Sequence, residues 1–419
     1  MQIAIFGLGY VGATAAACLA SQGHRVIGVD PNPDKVSKIM SGVAPITEPG
    51  LDDLTAAGVK DGLLSAVSIA DKDVVSSDLI IVCVGTPSAV DGSHNMSFIA
   101  EVSRQIALQL KDAPDARPVV AYRSTVRPGT IEEMIQPIFD DVLGTDSDRV
   151  ELVYNPEFLR ESVAIADFFA PPKIVVGTKT GERCAAIDGI NEGIEAPVFY
   201  VKYREAEITK FVDNTFHAVK TAFANEIGRV CTKLGVSASE VHRIFVSDTK
   251  LNVSPYYLRP GGAFGGSCLP KDVRALQHMS RLVGGSTGLI DSLIVSNEAH
   301  KQFLFELCSQ GLTHGAKVLM LGLAFKDKSD DLRESPNIDI ARYLLTAGYE
   351  LSIFDPYVTP GNLVGQNLGV LSRSPFIRKL LKSQAEIEAE TYDVVIDTRS
   401  IAGNYKLDAA RIVDINRLA

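Results

Sequence analysis

The sequence is notable first for what it lacks. No uncharged apolar run approaches the ~18 residues that a membrane-spanning helix needs, so no span and no membrane partner are expected. There is no basic tract, and 41 Lys and Arg stand against 51 Asp and Glu, for a formal net charge of -10. Proteins that hold nucleic acid through its phosphates need clustered cations, so no nucleic-acid partner is expected either. The six cysteines, at positions 18, 83, 184, 231, 268 and 308, show no CxxC spacing of the kind that holds metal. Their scatter fits free thiols in a reducing, cytoplasmic setting with no bound metal. The opening "MQIAIFGLGYVG" has an apolar strand without a basic n-region or a small-residue cleavage site, so no signal peptide is expected. No short-period repeat and no low-complexity tract is visible.

What is present describes an ordinary globular enzyme: 46% hydrophobic and 22% charged residues in a chain of 419, long enough for two or three domains. Over the first ~200 residues apolar runs alternate with amphipathic helical stretches: "QIAIFGLG", "RVIGVD", "DLIIVCVGT", "PVVAYRST", "ELVYNPE" and "KIVVGT". That alternation predicts a parallel sheet covered by helices on both faces. From about Glu205 to Leu234 there is no proline and a single glycine, and apolar residues recur at helical spacing. This predicts one long helix, followed by a second over "SASEVHRIF". Strand-like runs resume at "AKVLMLGLAF", "ELSIFDPYV", "DVVIDTR" and "RIVDINRL". The expected order is α/β, then helical, then a smaller α/β unit.

"IFGLGYVG" places Gly7, Gly9 and Gly12 in the spacing G-x-G-x-x-G, after a strand and at the opening of a helix. Such glycines serve a tight turn, close approach of a pyrophosphate, and close packing of helix on strand, while the helix N-terminus faces the phosphates. Eighteen residues past Gly12 the strand "HRVIGVD" ends in Asp30. A carboxylate there can accept from both ribose hydroxyls and repels a 2′-phosphate, which points to NAD rather than NADP. "VCVGTP" leaves a buried strand at Thr86, either as a plain turn or in contact with the cofactor.

A second set of polar residues awaits a ligand. Thr125 ends a buried strand in "YRSTVRPGT", and "NPEFLRES" carries Glu157 and Glu161. Lys210, Asn214 and His217 fall at i, i+4 and i+7 of the long helix, on one face. "GGAFGGSCLPKDV" sets Cys268 between glycines and the pair Lys271 and Asp272. Reactive thiols need exposure, close approach of a substrate and nearby positive charge. Taken singly, each residue has an ordinary structural alternative: a solvated Lys, a packing Asn, an inert Cys, a capping Glu.

Together with "EPGL", "VGTP", "RSTVRPGT" and "DDLRESP", these stretches resemble the UDP-glucose/GDP-mannose dehydrogenase family over essentially the whole chain. The resemblance implies an N-terminal Rossmann domain (1–202), a central helical domain with one long dimerising helix (203–300) and a C-terminal Rossmann-like domain holding the nucleotide (301–419). It implies oxidation of the C6 alcohol of a nucleotide sugar to a carboxylate with two NAD. Cys268 matches the nucleophile that forms a thiohemiacetal and then a thioester. Lys210 and Asn214 match the oxyanion-stabilising pair, Asp272 with Thr125 the proton-handling group, and Glu161 the residue associated with thioester hydrolysis; Glu157 shares that general-base logic. Tyr10, Val11, Lys35, Thr86, Thr125, Lys271 and Arg333 match cofactor contacts alongside the glycines and Asp30. His217, Asn225, Tyr256, Tyr257, Arg259, Gly265 and Lys326 match substrate contacts. Gly265 and Gly266 are expected to let the backbone approach the sugar.

Within the family, "NTFHAVKTAFANEIG" and "YYLRPGGAFGGSCLPKD" are most similar to the branch acting on GDP-mannose, with UDP-glucose oxidation the alternative. Two positions depart from that branch: Gly262, a substrate-contact position, replaces an aromatic residue, and Asp213 replaces a cysteine. The resemblance also implies a homodimer or higher homo-oligomer. A two-electron hydroxyacid dehydrogenase needs no thiol, and a catalytically dead redox sensor needs neither Lys210 nor Asp272.

Overall fold

A computed structural model describes residues 1–249, 260–282, 287–359 and 366–417. The chain divides into two compact units, Met1–Val212 and Asp213–Ala419.

The first unit is built on eight strands: β1 (Gln2–Phe6), β2 (Arg25–Val29), β3 (Leu64–Val67), β4 (Leu79–Val82), β5 (Val119–Tyr122), β6 (Glu151–Tyr154), β7 (Ile174–Thr178) and β8 (Val198–Lys202). They form one sheet in the order β3-β2-β1-β4-β5-β6-β7-β8. All neighbours are parallel except β6 and β7, which meet antiparallel through Tyr154 and Gly177. Alternation along the strands feeds two cores. Ala4, Phe6, Ile80, Val82, Val120 and Tyr122 face one, while Ile3, Ile5, Leu79, Ile81 and Ala121 face the other. Both faces are therefore covered, as the unbroken apolar runs predict. Burying each such aliphatic side chain contributes ~1.5–3 kcal/mol.

The helix Tyr10–Ser21 is buried without interruption from Gly12 to Ala20. Its run of alanines keeps side chains short, so the helix sits close on the sheet. Chain order reverses between β1 and β4, and the carboxyl ends of strands at such a reversal form the ligand crevice of this architecture.

The predicted strands β1, β2, β4, β5, β6 and β7 are all present. β3 and β8 are additional. "LSAV" is short and interrupted by serine, and "VFYVK" is exposed at its first residues, so neither shows a clean apolar run.

The long helix runs Tyr203–Leu234 and is followed by Ala238–Ser247, as its unbroken periodicity predicts. Glu207 near its start is fully buried and accepts the N–H of Gly129 at 2.6 Å and of Ile131 at 2.9 Å. This ties the helix to the loop after β5. Burial pushes the Glu207 carboxyl up to about 7, against the two backbone bonds that favour its ionised form.

The second unit adds the helices Leu269–Leu282, Gly288–Ser309 and Pro336–Thr346 and four further strands of one sheet: β9 (Lys317–Leu321), β10 (Glu350–Phe354), β12 (Val394–Asp397) and β14 (Ile412–Asp414). The sheet is parallel in the order β10-β9-β12-β14, beside a two-stranded pair of β11 (Thr391–Tyr392) with β13 (Asp408–Ala409). Its crossover repeats that of the first unit. Gly7 and Gly322 both have left-handed φ, +94 and +93. The next N–H, of Leu8 or Leu323, bonds the aspartate ending the neighbouring strand: Asp30 at 2.8 Å, Asp355 at 2.7 Å.

Candidate active site

The first unit holds a glycine cradle at the crevice. Gly7 takes a φ that side-chain-bearing residues rarely adopt, and a Cβ there would meet the Cys83 carbonyl at 2.9 Å. A Cβ on Gly12 would collide with the Gly7 carbonyl, whereas one on Gly9 would find nothing within 4 Å. Gly9 thus leaves open backbone at the helix N-terminus, beside Tyr10 and Val11 in the first turn. Asp30 is 5% exposed and fixed by the N–H of Leu8 and, at 3.0 Å, of Asn32. Lys35 lies 2.8 Å from its Oδ2, so the cation of this turn is paired with Asp30. A dinucleotide fits this donor set, with its pyrophosphate on the open backbone and its ribose at Asp30.

The loops after β4 and β5 are stitched together. The Thr86 hydroxyl donates to the Thr125 carbonyl at 3.0 Å, and the Ser124 hydroxyl to that of Val84 at 2.7 Å. Arg123, buried at the end of β5, donates to Asn155 Oδ1 at 3.1 and 2.9 Å, and Asn155 donates to Val175 O at 2.8 Å. This chain of bonds bridges β5, β6 and β7 where the sheet changes direction, and so seats the "NPEFLRES" loop. Burial pushes the Arg123 guanidinium below its ordinary pKa.

Lys210, 6% exposed, reaches that loop from the long helix. Its ammonium is 3.0 Å from Glu157 Oε1 and donates to the Glu157 carbonyl at 2.7 Å, with the Phe158 ring 5.5 Å away. The other Glu157 oxygen accepts the Leu159 N–H at 2.7 Å. Glu157 is thereby the counter-ion of Lys210. Glu161 lies further along the same loop, between residues anchored by Glu48 and Asp167.

In the second unit Cys268 is the exposed cysteine; Cys83 is half-buried and the other four are buried. Burial pushes the thiols of Cys18, Cys83 and Cys308 up to about 12, which keeps them inert. Cys268 directly precedes the helix Leu269–Leu282, and its carbonyl accepts the Asp272 N–H at 2.9 Å. A helix N-terminus favours developing negative charge. Asp272, 1% exposed, accepts a hydrogen bond from the Asn214 amide, and the Lys271 ammonium is 3.2 Å from its other oxygen. Lys210 and Asn214 stand about one turn apart on the long helix.

The two glycines before the thiol pack closely against residues of their own unit. A Cβ on Gly265 would meet Glu334 O and the Pro336 ring at 2.5 Å, and one on Gly266 (φ +83) the Phe325 ring at 2.6 Å. Protein lies where their side chains would be. The salt bridge from Arg274 to Glu334, at 2.9 and 2.5 Å, fastens the same segment. Asn225 bonds the Gly261 N–H at 3.0 Å and the Gly262 carbonyl at 3.3 Å, placing both expected contact residues in a loop clamp. Asn297 grips both backbone groups of Phe264 at 2.9 and 2.8 Å, and His300 bonds the Gly261 carbonyl at 2.6 Å. Neither residue stands out in the sequence, because a buried Asn and His on a helix carry no motif. His217 and Lys326 are half-buried, and Arg333 is bound to Asp331 at 2.8 and 2.6 Å. Tyr256, Tyr257 and Arg259 lie outside the described residues. Among the described residues no helix is long and apolar enough to cross a membrane.

A dinucleotide cradle in a chain that also carries an exposed thiol, a buried lysine and a buried asparagine–aspartate pair defines an NAD-dependent oxidoreductase. Models of the UDP-glucose/GDP-mannose dehydrogenase family match its NAD binding domain at residues 1–194, its central domain at 204–299 and its UDP binding domain at 319–401. The chain is 40% identical to a GDP-mannose 6-dehydrogenase of Pseudomonas putida, across 94% of this chain and 90% of that one. It is 34% identical to a UDP-glucose 6-dehydrogenase of Rhizobium meliloti, across 85% and 82%. A solved UDP-glucose dehydrogenase from Pyrobaculum islandicum superposes with a TM-score of 0.87 at 29% identity, covering 99% of this chain and 97% of that one. This chain belongs to the UDP-glucose/GDP-mannose dehydrogenase family.

Proposed function

We propose that this protein oxidises the C6 alcohol of GDP-mannose to a carboxylate, giving GDP-mannuronate, with two NAD per sugar. The observation that carries the reading is Cys268, an exposed thiol at a helix start, one turn from the Asp272 carboxylate that Asn214 holds. Higher identity to the Pseudomonas putida relative than to the Rhizobium meliloti one favours GDP-mannose over UDP-glucose.

The residues divide the work as follows. NAD in the glycine cradle supplies the hydride acceptor for each of the two oxidations. Asp272, with Thr125, takes the proton of the C6 hydroxyl as the aldehyde forms. Cys268 adds through sulfur to the aldehyde carbon, and the oxygen takes up a proton to complete the thiohemiacetal. Loss of a second hydride and of the hydroxyl proton leaves an acyl thioester on Cys268. The Lys210 ammonium and Asn214 amide donate to the oxyanions that develop at each addition. Glu161 takes a proton from water as it attacks the thioester; the C–S bond then breaks, and the thiolate leaves the uronate. Residues 301–419 hold the nucleotide in this reading. The exposed apolar residues Val212, Phe216 and Phe223 on the long helix favour dimerisation within 203–300, which light scattering of the purified protein reads directly.

The test is turnover of GDP-mannose, UDP-glucose and UDP-N-acetylmannosamine at equal concentration with NAD. The expected result is two NADH per GDP-mannose, with UDP-glucose at least ~10²-fold poorer in kcat/KM, because polar groups that bond one C2 hydroxyl are left unpaired by its epimer. A preference for either UDP sugar overturns the substrate, and one NADH per sugar overturns the thioester route.

A further inference from the structure

Glu48, in "EPGL", is 6% exposed and has no place in the chemistry above. Its Oε1 accepts the Ala164 N–H at 2.8 Å, and its Oε2 accepts the Ser162 N–H at 2.8 Å together with the Tyr10 hydroxyl. The Ser162 N–H also approaches the Tyr10 oxygen at 3.1 Å, and the Tyr10 hydroxyl is 3.3 Å from the Arg160 carbonyl. From the other side Asp167, also 6% exposed, accepts the Arg160 N–H and Nε at 2.9 Å each and its terminal nitrogen at 2.7 Å. The residues on both sides of Glu161 are thus tied to buried carboxylates. Ser162 is held at φ +71, a conformation that a non-glycine residue keeps only when its surroundings impose it. Burial, and then the Glu48 carboxylate, push the Tyr10 phenol up, so it remains the donor. Tyr10 opens the helix of the glycine cradle, which links the cradle to the peptide that follows Glu161 directly through the Ser162 N–H and again through Glu48.

We propose that Glu48 is a positioning residue that, through Ser162 and Tyr10, sets the Glu161 carboxylate for hydrolysis of the Cys268 thioester. The inference rests on the function proposed above. It concerns the hydrolytic half of the reaction and leaves the two oxidations to other residues.

The test compares Glu48→Gln, Glu161→Gln and the unchanged protein by stopped-flow NADH absorbance and by mass spectrometry of the quenched enzyme. The amide nitrogen that Glu48→Gln introduces cannot accept, so one or more of the backbone ties is lost while size is kept. The expected result for Glu48→Gln is a burst of two NADH per Cys268, then steady turnover ~10-fold slower, with a sugar-acyl adduct on Cys268. A merely structural role would lower burst and steady rate together without an adduct, and that outcome overturns the proposal. So does steady turnover at the unchanged rate. If Glu161→Gln accumulates no adduct, the hydrolytic role of Glu161 falls, and this inference with it. If an adduct appears with Glu161→Gln but not with Glu48→Gln, the inference alone falls. Should Glu48→Gln not fold, Tyr10→Phe removes one hydroxyl of the same network. It is expected to show the adduct and a ~3-fold slower steady rate, and unchanged hydrolysis in it overturns the proposal.

Discussion

Replacing Lys210 by methionine separates the chemistry of that residue from its packing. The side chain is buried, with its ammonium 3.0 Å from Glu157 Oε1. At an effective dielectric constant of ~20 a pair at that distance attracts by roughly 5 kcal/mol. Removing one partner of a buried pair typically costs ~3–5 kcal/mol, because the other charge stays buried without compensation. Glu157 keeps the Leu159 N–H at 2.7 Å, which places the expected loss for Lys210→Met at the lower end, about 3 kcal/mol. The rate should fall by ~10²-fold or more, as for other losses of an oxyanion donor. The double variant Lys210→Met/Glu157→Gln removes the orphaned charge and should regain most of the stability while staying slow. Urea unfolding followed by circular dichroism reads the first quantity and steady-state NADH production the second. A single variant destabilised by less than ~1 kcal/mol would show that the ion pair does not hold the loop. A double variant that regains its rate would remove Lys210 from the chemistry.

Cys268→Ser should abolish the net four-electron turnover while leaving NAD affinity nearly unchanged, since the serine hydroxyl is far less ionised near neutral pH; continued uronate production on a sugar-nucleotide assay refutes the thioester. Glu207 makes stability depend on pH. Its folded carboxyl is raised to about 7, so between the unfolded value near 4.5 and pH 7 the folded state holds more proton. Stability conferred by this group is fully present at the acid end and falls by about 3 kcal/mol as pH rises through that window. Glu207→Gln should flatten that slope in melts recorded at pH 5 and pH 7.5, and an unchanged slope assigns it to other groups.

Much of this molecule is legible along the chain because it is locally encoded. The spacing of Gly7, Gly9 and Gly12 reports a left-handed turn at Gly7, open backbone at Gly9 and close packing at Gly12, and that demand sits within six residues. Unbroken apolar runs announce strands covered on both faces, and thirty residues with no proline and a single glycine announce the long helix. Cys268 stands out for the same reason, as a thiol between glycines and charges. The strands that escaped notice, β3 and β8, lack such a run because one is short and the other is partly exposed.

Partnership is another matter, since it depends on which distant segments the sheet brings to the same strand ends. Lys210 meets Glu157 across 53 residues, Asn214 meets Asp272 across 58, and Glu48 reaches Ser162 across 114. No periodicity couples such positions. The sequence alone shows that carboxylates, a lysine and a thiol are present near turns. Whether a carboxylate is a base, a counter-ion or an anchor is set by burial and by the donors around it. Glu157 is tied to an ammonium, Glu48 to two backbone N–H groups and a phenol, and the buried Glu207 to two backbone N–H groups of a loop. Likewise the chain shows that Gly265 and Gly266 stand before the thiol, but only tertiary packing shows that side chains there would meet Glu334, Pro336 and Phe325. Sequence determines which groups can do chemistry, and the fold decides which of them are held where water and charge let them do it.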